Sequence, residues 1–398
     1  MNLKSTYRLT LIMGFAQIYM WATTYYLPAT LIKIVANEIG ESTIALVGGF
    51  SWSLFLSGIC APKIGSWIEN EGGRLSLFIG SLLASLGLIV LSATNGLIIW
   101  YIGWTIIGLA MALGLFSACF ASLVRLFGQG AKKVIIRVTI ISGFATFFWP
   151  LTTYLIQLIG WRNTLLAYSL PHLLIWAPIY YFSIPKGVPA EVAESTPVIK
   201  ILGKMRIIIY LLASFAILRS VVGSTGSVFL INIFGGLGLS IEKAAFIAAL
   251  IGPSQIAGRI IELLFGHKFN PINSGIFWAS IMPISILLLL VIGAPASFIF
   301  AIAYGMSNGM ATITMSILPL VLFGSRGYAS LMGKLALPIL VTQAISPVLA
   351  TPIMDSWSTR NIFLLAGVLS FIALNCLIFL RHFQSHTKRV KDGVSGDS

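Results

Sequence analysis

Long apolar stretches succeed one another along nearly the whole chain, separated by short polar, glycine- or proline-bearing intervals. A helix needs about 20 apolar residues, at 1.5 Å each, to cross a bilayer's hydrocarbon core. Read this way, the pattern predicts twelve crossing helices, at 9–35, 43–64, 75–95, 97–124, 135–159, 163–184, 207–234, 241–265, 273–293, 296–322, 328–353 and 360–381. Glycine and proline recur within them, as membrane helices tolerate. The longest polar interval between Arg8 and the C-terminal tail is Pro185–Arg206. It holds prolines, two glutamates and four basic residues, so it cannot lie in hydrocarbon. It is expected to be a cytoplasmic linker between an N-terminal six-helix bundle, 1–184, and a C-terminal one, 207–381, with a cytoplasmic tail at 382–398. The expected fold class is an all-α membrane protein of two six-helix bundles.

Composition agrees with a membrane chain. Of 398 residues, 58% are hydrophobic and only 9% charged, against about 25% charged in a soluble domain. The net charge of +14 would suggest nucleic acid in a soluble protein. Here the basic residues sit in alternate loops, which is the signature of membrane orientation, and no nucleic-acid partner is expected. With the N-terminus inside, Lys63, Arg74, Arg125, Lys132, Lys133, Arg137, Lys268 and Arg326 fall on inner loops with the central interval and both ends. Only Lys33, Arg162, Lys243 and Arg360 fall outside. Both termini are therefore expected in the cytoplasm, in an inner or plasma membrane. Lys4 and Arg8 before an apolar run resemble a signal peptide, but Gln17, Trp21 and Tyr25-Tyr26 interrupt it, so it reads as the first crossing helix. Cys60, Cys119 and Cys376 lack metal-ligand spacing, and no metal or cofactor is expected.

The halves repeat. Leu126-Phe127-Gly128 recurs as Leu322-Phe323-Gly324, Trp149-Pro150 aligns with Ser346-Pro347, and Trp161-Arg162-Asn163 with Thr359-Arg360-Asn361, at offsets of 196, 197 and 198. Three near-constant offsets at equivalent points argue for a parallel duplication.

The loop after the second apolar stretch reads Gly65-Ser-Trp-Ile-Glu69-Asn-Glu-Gly72-Gly73-Arg74. It resembles the signature loop of the major facilitator superfamily, with Glu69 where that family usually has aspartate. A degenerate copy, Gly258-Arg259-Ile-Ile-Glu262, stands in the second half. The resemblance covers essentially the whole chain. It implies two six-helix bundles around a cavity open alternately to each side, with Gly65 packing helices and Glu69 and Arg74 forming a charge latch, and Arg259 and Glu262 in the matching gating position. Two features depart from proton-coupled and drug-exporting members. Trp104–Ala112 carries no arginine, and the glycine-rich signature of the fifth helix is reduced to Gly143 and Pro150.

Deep polar and aromatic residues are the candidates for substrate contact: Gln17, Tyr19, Tyr25, Trp104, Arg219, Asn308 and Gln343. Arg219 lies 13 residues beyond Arg206, about 20 Å along a helix, too deep to reach the inner surface easily. An arginine there costs about 2.5–3.5 kcal/mol, and no acid at matching depth is available. A bidentate guanidinium suits a carboxylate or phosphate. Gly223-Ser-Thr-Gly226 is expected to weaken the same helix. His172, within the sixth stretch, is a candidate proton carrier, the alternative being a lone histidine with an ordinary hydrogen-bond partner. Trp100 is expected in an interfacial belt.

The expectation is a secondary transporter of a small organic anion or zwitterion, acting as a monomer on a small-molecule substrate, with or without a coupling ion, and embedded in the lipid bilayer. The alternative within transport is an exporter of amphipathic or aromatic compounds, drug- or siderophore-like. From other classes stand a membrane enzyme and a transport-dead receptor. The first lacks a nucleophile–base pair, metal cluster or phosphate loop. The second lacks a signalling domain, since the tail is short.

Overall fold

The computed structural model describes residues 3–185 and 203–394. Most of the central interval therefore lies outside the described residues, although Gly203–Arg206 already belong to a helix. The helices are α1 (Leu3–Met20), α2 (Pro28–Ile39), α3 (Thr43–Glu71), α4 (Arg74–Ser92), α5 (Leu97–Gly114), α6 (Phe116–Phe127), α7 (Ala131–Ser142), α8 (Phe148–Pro171), α9 (Ala177–Ser183), α10 (Gly203–Gly235), α11 (Ile241–Ala249), α12 (Ile251–Phe265), α13 (Pro271–Ile292), α14 (Ser297–Phe323), α15 (Tyr328–Ser356) and α16 (Thr359–Val394). No strand occurs among the described residues.

Nine stretches of the described residues are long and apolar enough to cross a membrane. One of them, Leu97–Ser183, is 87 residues long, several times what a single crossing needs. It is broken at Leu115, at Gly128–Gly130 and at Gly160. Gly160 has φ 79 and ψ 158 inside α8, a conformation that only glycine adopts without strain. Trp161 therefore starts a new helix, as the sequence repeat predicted.

Several predicted helices are not continuous. Pro28, which has no N–H, opens α2, as proline does at a helix start. Before it the chain is π-helical over Trp21–Tyr25, so the first crossing is α1, this widened turn and α2. The fourth breaks at Leu115, which is extended (ψ −173). The break frees carbonyls that side chains then satisfy: Gln17 Nε2 donates to Gly114 O at 2.6 Å and Ser76 Oγ to Leu113 O at 2.9 Å. Such repair is needed because an unpaired carbonyl in hydrocarbon costs several kcal/mol, of order a lost hydrogen bond. The expected weakening at Gly223–Gly226 does not occur; α10 runs unbroken to Gly235. Trp100 does not present its ring outward as a belt residue would. It is fully buried, with Nε1 donating to Leu46 O.

Contacts group the chain into two units. The first is Met1–Val192 with Pro319–Ile345, and the second is Ala193–Leu318 with Ser346–Ser398. Parts of α14 and α15 thus belong to the first unit. It has two cores, one around Met13, Leu77, Phe120, Ile135 and Tyr328, the other around Leu31, Leu88, Trp100, Trp104 and Leu165. The second unit's core gathers Phe234, Met282, Phe300 and Phe363. Each unit carries the same local joint. Gly40 (φ 71) ends α2 and Gly238 (φ 83) lies in the turn after α10, and two residues later Ser42 and Ser240 cap the next helix through their hydroxyls.

Candidate functional site

In the second unit, Arg219 of α10 is 5% exposed. Its Nη2 donates to Oδ1 of Asn308 on α14 at 3.4 Å, a long contact. Its Nε and Nη1 are buried with no partner among the described residues. One turn on, the carbonyl of Gly223 accepts from the Tyr304 hydroxyl at 2.9 Å. The glycines leave these partners room: a Cβ at 223 would stand 3.1 Å from Asn308 Oδ1, and one at 226 would stand 2.5 Å from the Tyr304 hydroxyl. Arg219 and Asn308 thus come together as a half-satisfied cationic site. Tyr304 was missed in the sequence, although it lies four residues before Asn308 and so shares its helix face.

The first unit holds Gln17, Tyr19, Tyr25, Trp104, His172 and Gln343. Gln17 is fully buried, with its nitrogen committed to the α5 break and its Oε1 unpartnered. Tyr25 and Trp104 both meet Phe50, with ring centroids at 5.6 and 5.4 Å. Tyr19 donates to Tyr168 O and lies 4.8 Å from the His172 ring. Gln343 is half-buried on α15. His172 opens a second π-helical turn, His172–Trp176. Its Nε2 is 2.8 Å from Thr23 Oγ1, within the first π-helical turn, and its Nδ1 is 3.3 Å from Ser81 Oγ. The Thr23 hydroxyl has one proton to give, either to Tyr19 O or to Nε2. Ser81 can donate to Nδ1, or accept from a protonated Nδ1 while donating to His172 O at 2.9 Å. Each ring nitrogen therefore has a hydroxyl partner.

The signature loop is arranged differently from the expected charge latch. Glu69 does not pair with Arg74. Its Oε1 accepts from Gly327 N at 2.9 Å and its Oε2 from Ala329 N at 3.0 Å, so the carboxylate caps the N-terminus of α15, where backbone donors and the helix dipole favour an anion. Arg74 instead lies over the Tyr181 ring, 4.0 Å from its centroid. The glycine behaves as expected: a Cβ at Gly65 would overlap the Ala329 carbonyl, and one at Gly333 the Ala61 carbonyl. In the second copy, Glu262 is held by Ser274 Oγ (2.6 Å) and Trp278 Nε1 (3.0 Å), and Arg259 Nε reaches towards Gly309 O at 3.5 Å. A polar joint absent from the sequence reading ties Glu38 at the end of α2 to Arg162 and to the Trp161 indole. These bonds hold the Glu38 carboxyl below its ordinary range, the Trp161 donor more than the Arg162 one.

Comparison with solved structures decides the fold. The human organic anion transporter MFSD10 (TETRAN) superposes with a TM-score of 0.74 at 13% identity, covering 95% of this chain and 100% of that one. A major facilitator superfamily proton:xylose symporter, XylE, bound to 6-bromo-6-deoxy-D-glucose, gives 0.71 at 16% identity, covering 97% and 96%. The fold is that of the major facilitator superfamily. No family model matches the sequence, and no curated protein does. The superfamily fold and the many apolar helices make the chain a multi-pass membrane protein.

Proposed function

We propose that this chain is a secondary active transporter of a small organic anion or zwitterion, working by alternating access with both termini in the cytoplasm. One observation carries the substrate class: Arg219, buried on a membrane helix with Nε and Nη1 unpartnered. Nε and Nη1 lie on different edges of the guanidinium, so a carboxylate or phosphate can take either one together with the second hydrogen of Nη2 as a bidentate pair. The superfamily fold supports transport, and one solved structure of that fold is named an organic anion transporter. The N- and C-terminal halves, 1–184 and 207–381, are the moving bodies in this reading. The Glu69 clasp on α15 is the gate. His172, with Thr23 and Ser81, is the proton carrier if transport is proton-coupled. Asn308 is the substrate-facing candidate beside Arg219, whereas Gln17 and Trp104 are buried in the packing of the first unit. The second reading, export of amphipathic or aromatic compounds, draws on the aromatic cluster of Trp21, Tyr25, Phe50 and Trp104.

Thermal-shift and calorimetric titration of the purified protein with organic acids, amino acids and neutral drugs tests the assignment. Organic anions are expected to stabilise the wild type. Arg219→Lys should bind them more weakly, and Arg219→Gln about ten- to a hundredfold more weakly, as loss of a charged hydrogen bond is worth about 1.5–3 kcal/mol. Without ligand, Arg219→Gln should be at least as heat-stable as the wild type, because an unpaired buried charge has been removed. Full-affinity anion binding by a folded Arg219→Gln would exclude this role and favour the amphipathic exporter.

A further inference from the structure

The second unit contains a cavity of about 210 Å³ bounded by α10, α13, α14, α15 and α16. Its walls are almost entirely apolar and include Val222, Gly226, Phe300, Tyr304, Ala366 and Leu369. An apolar cavity of about 150 Å³ stays dry and takes up benzene, so this one has room for a substituted or fused aromatic ring. The cavity adjoins the Arg219 site through one side chain. The Tyr304 ring lines it, while the hydroxyl of the same tyrosine is fixed on the Gly223 carbonyl, one turn from Arg219. At 223 and 226 there is no side chain on α10 to separate the two. The Asn308 that touches Arg219 lies one turn from Tyr304 on α14.

We propose that the ligand of this site is an aromatic organic anion, its anionic group on the free edge of Arg219 and its ring in the apolar cavity beside Tyr304. This rests on the reading that Arg219 takes an anion, and it adds the chemistry of the rest of the molecule. The two parts explain each other. A buried guanidinium alone would accept any compact anion, and an apolar cavity alone would accept any neutral ring. A ligand that carries both brings an acceptor to unused donors of the guanidinium and fills the apolar volume, whose lining otherwise lacks dispersion partners.

The test is calorimetric titration of the full-length protein in detergent with acetate, benzoate, 2-naphthoate and the neutral 2-naphthalenemethanol. It is run on the wild type, on Arg219→Gln and on two variants that fill the cavity, Ala366→Leu and Ala350→Leu. The wild type should bind 2-naphthoate about tenfold or more tightly than benzoate, from the added apolar carbons buried, and the neutral alcohol much more weakly. Either filling variant that remains folded should lose the preference for naphthoate while still binding benzoate. Equal affinity for benzoate and naphthoate in the wild type, with both lost in Arg219→Gln, would overturn the cavity's role and leave that of Arg219. A naphthoate preference unchanged in both filling variants would also overturn it. Retention of binding by Arg219→Gln would overturn the anion reading itself, whatever the variants with filled cavities do.

Discussion

At the scale of single residues, the molecule keeps a few polar side chains where hydrocarbon makes them expensive, and their partners separate structure from function. Gln17 spends its amide nitrogen on the freed Gly114 carbonyl, and Glu262 is held by Ser274 and Trp278. Among the described residues Arg219 has only the long bond to Asn308, so its cost is not offset there. The sequence made Arg219 conspicuous through depth and the lack of a matching acid. It could not show Tyr304 beside it, or the Ser81 hydroxyl beside His172, because those contacts join helices distant along the chain. Glu38 is a different case, an exposed carboxylate at a helix end. Its depressed pKa means that its bonds to Trp161 and Arg162 stabilise the fold fully above the ordinary carboxylate range, and that this is lost as pH falls through the lowered value. Melting temperature should therefore fall more steeply on acidification in the wild type than in Glu38→Gln. Parallel pH profiles would show that the joint contributes nothing, as many exposed pairs do.

At the scale of elements, the breaks matter more than the helices. Apolar runs signalled helices clearly, yet hydrophobicity does not register a kink whose polar groups are repaired from a neighbouring helix. Thus the interruptions at Leu115 and Trp21–Tyr25 were invisible in the pattern, whereas Gly160 and Pro28 could be read as punctuation. The signature loop was legible in its glycine and acid, but not in its partner. The sequence places Arg74 close to Glu69, while folding brings the N-terminus of α15 to the carboxylate instead. The clasp joins α3 to α15 through two charge-assisted bonds, and a carboxylate at a partly buried helix terminus is worth up to about 2 kcal/mol. Glu69→Gln keeps one acceptor and loses the charge. Turnover is expected to drop sharply while substrate affinity stays within a few fold, since the substitution disturbs switching rather than binding. Unchanged turnover in reconstituted vesicles would reduce Glu69 to a packing residue.

At the scale of the whole molecule, the duplicated pattern was the most informative feature of the sequence. The near-constant offsets anticipated equivalent joints, and the glycine–serine turns at Gly40–Ser42 and Gly238–Ser240 repeat that correspondence at another point. Contacts nevertheless assign Pro319–Ile345 to the first unit, which no linear division at the central interval would have suggested. That segment includes the α15 terminus held by Glu69, so the same stretch of chain carries the gate in the proposed cycle. The superfamily fold accommodates sugars and organic anions alike in the solved structures compared, and substrate class here is argued from Arg219. The most direct test is counterflow. Purified protein is reconstituted into liposomes loaded with unlabelled aromatic carboxylate, and uptake of the labelled anion is followed. The account predicts transient accumulation of label above its outside concentration with the wild type, and none with Arg219→Gln. Equal accumulation by both proteins, or exchange of neutral compounds but not of the anion, would contradict it.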